Sequence, residues 1–128
     1  MRSYHTAILS MLVGIGLGAV AVQGIHAQSK PPAYVIAEVD VADPENYAKE
    51  YVSRSVKAIS EVGGGKFLSR GSKTISIRGE PPKRIVLFAF ENLDKAQAAF
   101  ASQAYAEAYA FGEKYAKFRI YAVEGVPQ

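Results

Sequence analysis

Two carboxylates and a few arginines and tyrosines are the groups in this chain whose type and spacing could do chemistry. Glu38 lies in the run AYVIAEVD (33–40), alternating with Tyr34 and Ile36. A carboxylate against such an apolar wall could take or give a proton as a general base or acid. The alternative is an ion pair with Arg70, Arg84 or Arg119. Asp40 follows two residues on and could add a second carboxylate, or simply end a strand. Arg70 closes the run GGGKFLSR (63–70). An arginine at a strand end could clamp a carboxylate or phosphate through paired N–H bonds, or serve as a structural ion-pair partner. Arg84 and Arg119 are weaker versions of the same idea. Tyr105 and Tyr109 sit four apart on one helix face, where a phenol can donate to a ligand or ligate haem, or simply pack. Tyr34 offers a similar hydroxyl at the sheet.

The residue types that are missing narrow the chemistry further. The 128 residues contain no Cys and no Trp. Both His (His5, His26) and both Met (Met1, Met11) fall in an apolar leader. Without that leader the chain cannot build the usual zinc, copper or His-ligated haem site, nor a Ser-His-Asp or Cys-His nucleophile. No metal and no cofactor is expected. The triple glycine 63–65 lacks the Lys-Ser or Lys-Thr of a phosphate loop, so it reads as a helix stop.

The leader has the order of a secretory signal. Arg2 precedes an uncharged stretch from Ala7 to Val22, and Ile25-His26-Ala27 offers a small residue before a cut. Cleavage after Ala27 leaves about 100 residues, and the expected location is periplasmic or secreted. A retained membrane anchor is the rival reading, weakened by Gly14, Gly16, Gly18, Gly24 and Gln23. The division is then signal peptide 1–27, linker 28–32 and one domain 33–126. The composition, 49% hydrophobic and 21% charged, is that of a globular chain. Basic residues are interleaved with acids, as in Lys49-Glu50 and Glu113-Lys114, which is a solvated surface and not a nucleic-acid stripe. No nucleic-acid partner is expected, and no stable membrane association once the leader is cut.

The elements that must position these groups can be placed in order. Ala33 to Asp40 alternates as a strand, with Val35, Ala37 and Val39 on one side and Tyr34, Ile36, Glu38 and Asp40 on the other. Asp43-Pro44-Glu45 starts a helix that runs to Val62, with Ala48, Val52, Val56 (with Ser55), Ile59 and Val62 as its apolar stripe and Tyr47 and Tyr51 flanking it. Lys66–Arg70 is a short strand, Lys73–Arg78 another, and Lys83–Glu91 the most apolar, hence central. Asn92 caps a helix that breaks and restarts at Ser102, and Lys117–Glu124 is the last strand. The arrangement is the α+β, ferredoxin-like βαββαβ fold, a four-stranded antiparallel sheet with two helices on one face. Tyr34, Ile36 and Glu38 with Ile85, Leu87 and Ala89 leave the other face too apolar for water. A homodimer packed sheet against sheet covers it, with a cavity for an unknown small molecule between the sheet and its partner.

The runs AYVIAEVDVADPENYAKEYV, GGGKFLSRG, GEPPKRIVLFAFENLDKAQAAF and KFRIYAVEG resemble, in order and spacing, the domain-of-unknown-function 1330 family. The resemblance spans nearly all of Ala33 to Gly125. It implies a ferredoxin-like, dimeric α/β-barrel fold, in a superfamily that includes small monooxygenases, isomerases and haem-degrading proteins. The family has no assigned reaction. Monooxygenases of this fold can work without a metal, so a cofactor-free enzyme using Glu38 as acid/base and Arg70 as anion clamp is one reading. A non-catalytic binding, structural or envelope component is another. The chain departs from the family pattern at three places. Ala89 stands where many members have an acid, Ser102-Gln103-Ala104-Tyr105 where many have Ser-Pro-Glu-Tyr, and a basic residue often found near Gly112 is absent.

Overall fold

The structure is a computed structural model that describes residues 30–127. The leader, its cleavage point and the first residues of the linker lie outside the described residues. Among the described residues no helix is long and apolar enough to cross a membrane.

Strand β1 (Ala33–Val41) buries every second residue. Ala33, Val35, Ala37 and Val39 are at most 5% exposed, while Tyr34, Ile36 and Glu38 are half-buried on the other side. Its two faces therefore fall as the alternation requires. Helix α1 covers residues 44–62. Asp43 caps it by accepting from the Asn46 N–H at 3.1 Å, and Pro44 occupies its first turn. Gly64, at φ +74°, ends it in a conformation only glycine takes readily.

The buried face of α1 overlaps the expected stripe at Ile59, with Val52 packed against the core, but is centred on other residues. Tyr47, Tyr51, Ser55, Ala58 and Ile59 face the core, whereas Ala48 is exposed and Val62 is 60% exposed. Two stretches, Tyr47–Val52 and Lys57–Val62, are π-helical, separated by the α turn Ser53–Val56. A π turn holds more residues than an α turn. Residues 47, 51, 55 and 59, four apart, thus stay in one line where an unbroken α-helix would rotate them away.

Strands β2 (Lys66–Gly71) and β3 (Arg84–Phe90) follow, then helices α2 (Leu93–Phe100) and α3 (Gln103–Gly112) and strand β4 (Ala116–Glu124). Asn92 caps α2 and Ser102 caps α3 as expected, accepting from the Lys95 and Tyr105 N–H groups. The sheet order is β2-β3-β1-β4 and every pairing is antiparallel. This is the ferredoxin-like α+β fold, with the apolar β3 and β1 in the middle. The expected strand at Lys73–Arg78 does not form. The segment pairs with nothing in the sheet, and Ile75 and Ile77 are 85% and 87% exposed. Alternation alone does not make a strand, because a strand also needs a partner edge to take its hydrogen bonds.

The core lies between the sheet and the helices and is rich in rings. Phe88, Phe90, Phe100 and Tyr105 pack edge to face or tilted, with centroids 4.7–6.1 Å apart along the chain of contacts. Gly112 lies so close to Tyr51 that a Cβ there would come within 2.6 Å of its ring.

Candidate functional site

A cavity of about 30 Å³ lies inside the subunit, between α1 and the sheet. This cavity belongs to one subunit and is distinct from the one expected between the sheet and a partner. The helix wall carries Tyr47, Tyr51 and Ser55, α3 adds Tyr105, and the sheet wall is apolar. Arg70 and Arg84 complete the lining. A more open recess of about 290 Å³ adjoins it and shares Val39, Tyr47, Val52 and Arg84. Its remaining walls include Val41, Pro44, Ala48 and Lys83.

Arg70 reaches the cavity through a bulge. β2 pairs Phe67 with Phe88, then slips by one residue so that Ser69 pairs with Leu87 and Arg70 with Val86. Val86 is on the buried face, so Arg70 joins Phe67 there, and its guanidinium carbon stacks 4.9 Å from the Phe67 ring centre. Unbroken alternation would have put Arg70 on the opposite face. Arg84 pairs with Val39 and so also points to the helix side. Its guanidinium carbon is 5.7 Å from the Tyr47 ring centre, and its Nε is buried without a hydrogen-bond partner.

The tyrosines are held neutral. The Tyr51 and Tyr105 hydroxyls are hydrogen-bonded at 3.0 Å, and both side chains are buried. Burial, above all, pushes the Tyr105 phenol up to about 12 and the Tyr51 phenol higher still. Burial also raises the Tyr47 phenol, against the opposing charges of Arg84 and Arg70. Ser55 donates to the Val52 carbonyl at 2.8 Å, which orients its oxygen.

Glu38 and Tyr34 lie elsewhere. Glu38 pairs with Ile85 and Arg119, on the sheet face away from the helices. It accepts from the Tyr121 hydroxyl at 2.7 Å and stands 3.9 Å from the Arg119 Nε. Of its three possible arginine partners, Arg119 is the one it meets. Glu38 and Arg70 face opposite sides of the sheet and form no common site within one subunit. Asp40 is exposed and pairs with Lys83 at 3.3 Å. Tyr34 is on the Glu38 face opposite Ala89, so a side chain at position 89 points away from the cavity. Tyr109 packs against Tyr105 and Phe118 at the edge of the core.

Of the four expected site residues, the structure thus brings Arg70 and Tyr105 together and leaves Glu38 and Tyr34 outside. Sequence reasoning places Tyr47, Tyr51 and Ser55 on or beside the inward stripe of α1 but assigns them no part in a site, and it ranks Arg84 below Arg70. The four-residue spacing of 47, 51 and 55 was the available signal, but it competed with a more apolar stripe. Among the described residues no group of acids and histidines could hold a metal ion.

The chain is similar in fold to a protein of unknown function from Rhodopseudomonas palustris, at 15% identity and a TM-score of 0.57, covering 84% of this chain and 93% of that one. It is also similar to SnoaB, a cofactor-independent oxygenase from Streptomyces nogalater, at 8% identity and a TM-score of 0.54, covering 77% and 96%. At such identities the likeness concerns the fold. The comparison with curated proteins gives no match. The family described as domain of unknown function (DUF1330) matches residues 32–126. That span takes in every strand and helix described above, and the chain belongs to this family.

Proposed function

We propose that this domain binds a small organic molecule between helix α1 and the sheet, and that it does so as an exported homodimer. The observation that carries the reading is the cavity itself, where Arg84 and three tyrosines meet between apolar walls and Arg70 stands at the exposed rim. A few directed polar groups in an apolar cleft are the usual make-up of a small-molecule site.

The outer sheet face supports the dimer. Tyr34, Ile36, Ile85, Leu87 and Ala89 share it with Tyr121 and Val123, which are 43% and 52% exposed. A second copy packed on this face would cover it and would enclose Glu38. Export rests on the charge and apolar pattern of residues 1–27.

The fold shared with a cofactor-independent oxygenase keeps a catalytic reading in view. It would have to run through the cavity tyrosines and arginines and not through Glu38 acting with Arg70, which the sheet separates.

Native mass spectrometry of protein exported by a bacterial host, without refolding, tests the proposal. The expected spectrum is a dimer of chains beginning near Gln28 that carries a small added mass or gains one from a metabolite extract. A full-length monomer would overturn export and dimer together. A processed dimer that takes up no small molecule would overturn the binding reading alone.

A further inference from the structure

We infer that the molecule this cavity takes is a small monocarboxylate with an apolar body, its carboxylate lying between Arg84 and Arg70; the inference rests on the binding reading above. The charge balance leads there. Neither the cavity nor the adjoining recess has an Asp or Glu in its lining, yet two guanidinium groups face in. Among the described residues neither Arg70 nor Arg84 has an ion-pair partner, although Arg54, Lys83 and Arg119 each have one. Their cations rest on the rings of Phe67 and Tyr47 instead. A buried guanidinium nitrogen such as Arg84 Nε is costly without an acceptor. An anion seated there would supply it.

The shape selects the kind of anion. About 30 Å³ is room for a carboxylate and little more. The planar guanidinium fork matches a planar carboxylate through two parallel hydrogen bonds. The neighbouring phenols of Tyr47, Tyr51 and Tyr105 stay protonated, so they bring no competing negative charge and can offer O–H donors to an anion, while the Tyr47 oxygen also accepts from Arg84. The recess of about 290 Å³ continues from the Arg84 side and is walled largely by Val39, Val41, Pro44, Ala48 and Val52. It has the size and polarity for an aryl or short alkyl body, with Lys83 at its edge.

Calorimetric titration of the full chain with benzoate, and with benzyl alcohol as the neutral counterpart, tests this. Benzoate is expected to bind the wild type at least about tenfold more tightly than benzyl alcohol. Arg84→Met is expected to remove that preference while leaving the fold intact, because it deletes a half-buried cation that has no ion-pair partner. Arg70→Gln, at the more exposed rim, is expected to weaken benzoate by a smaller factor and serves if Arg84→Met fails to fold. Equal binding of the two probes, or benzoate binding unchanged in the arginine variants, would overturn the carboxylate assignment and leave the cavity reading standing. Binding of neither probe to the wild type would overturn both.

Discussion

The hydroxyl pair of Tyr51 and Tyr105 gives the sharpest test of how the cavity wall is built. The two oxygens are 3.0 Å apart, and the residues are 6% and 5% exposed. Tyr51→Phe removes one hydroxyl and leaves the Tyr105 oxygen without its partner inside the core. The cost combines a lost hydrogen bond with an unsatisfied buried group, about 1–3 kcal/mol. The cavity beside them, about 30 Å³, is large enough for a water molecule. Water can partly replace the lost partner, so about 1.5 kcal/mol is the working figure. Tyr105→Phe should cost a similar amount for the mirror-image reason. The double variant removes donor and acceptor together and keeps both rings. It should cost little more than either single change, a coupling of about 1–2 kcal/mol. Urea unfolding followed by far-ultraviolet circular dichroism reads this directly, and the absence of Trp makes intrinsic fluorescence less useful. With a slope near 1 kcal/mol per molar for a domain of this size, each single variant moves the midpoint down by about 1.5 M. Protein concentration must be held fixed, since a dimer's stability depends on it. If the two single effects sum to the double within about 0.5 kcal/mol, the hydroxyls do not act as a pair and the reasoning fails.

The same phenols give an alkaline limit. Folding raises Tyr105 to about 12 and Tyr51 further, above the unfolded value near 10. Stability should therefore be complete below pH 10 and fall as pH rises beyond it, and the double Phe variant should lose less over that range in thermal melts. Gly112→Ala should destabilise the domain by about 1–3 kcal/mol in spite of alanine's better helix propensity, because the new Cβ would meet the Tyr51 and Phe118 rings at 2.6 and 3.0 Å; a raised melting temperature would refute the close packing. Asn92→Ala should cost about 1 kcal/mol by removing the cap on the Lys95 N–H, read as a fall of several degrees in melting temperature. Glu38→Gln should change benzoate affinity less than twofold, since Glu38 faces the other side of the sheet; a large loss in calorimetry would place the site there.

The sequence by itself determined whatever depends on neighbours along the chain. Asp43, Asn92 and Ser102 cap helices because their side chains reach N–H groups three residues on. Gly64 stops α1 because the backbone there needs positive φ. The two faces of β1 follow from strict alternation, and the apolar run at β3 marks a central strand. Ser102 accepts from the Tyr105 N–H, so the turn that sets Tyr105 is fixed by a residue three positions before it. The tertiary structure decided whatever depends on a partner distant in sequence. Lys73–Arg78 alternates like a strand but no sheet edge takes it. The π turns of α1 bring Tyr47, Tyr51 and Ser55 to the core beside Ile59, while Ala48 and Val62 of the apolar stripe face out. The slip between Phe67 and Ser69 turns Arg70 to the helix side and parts it from Glu38. The last two are shifts of register, by a wider turn in the helix and by one residue in the strand. Composition is blind to such a shift, because the same side chains in the same order fit either register until packing selects one.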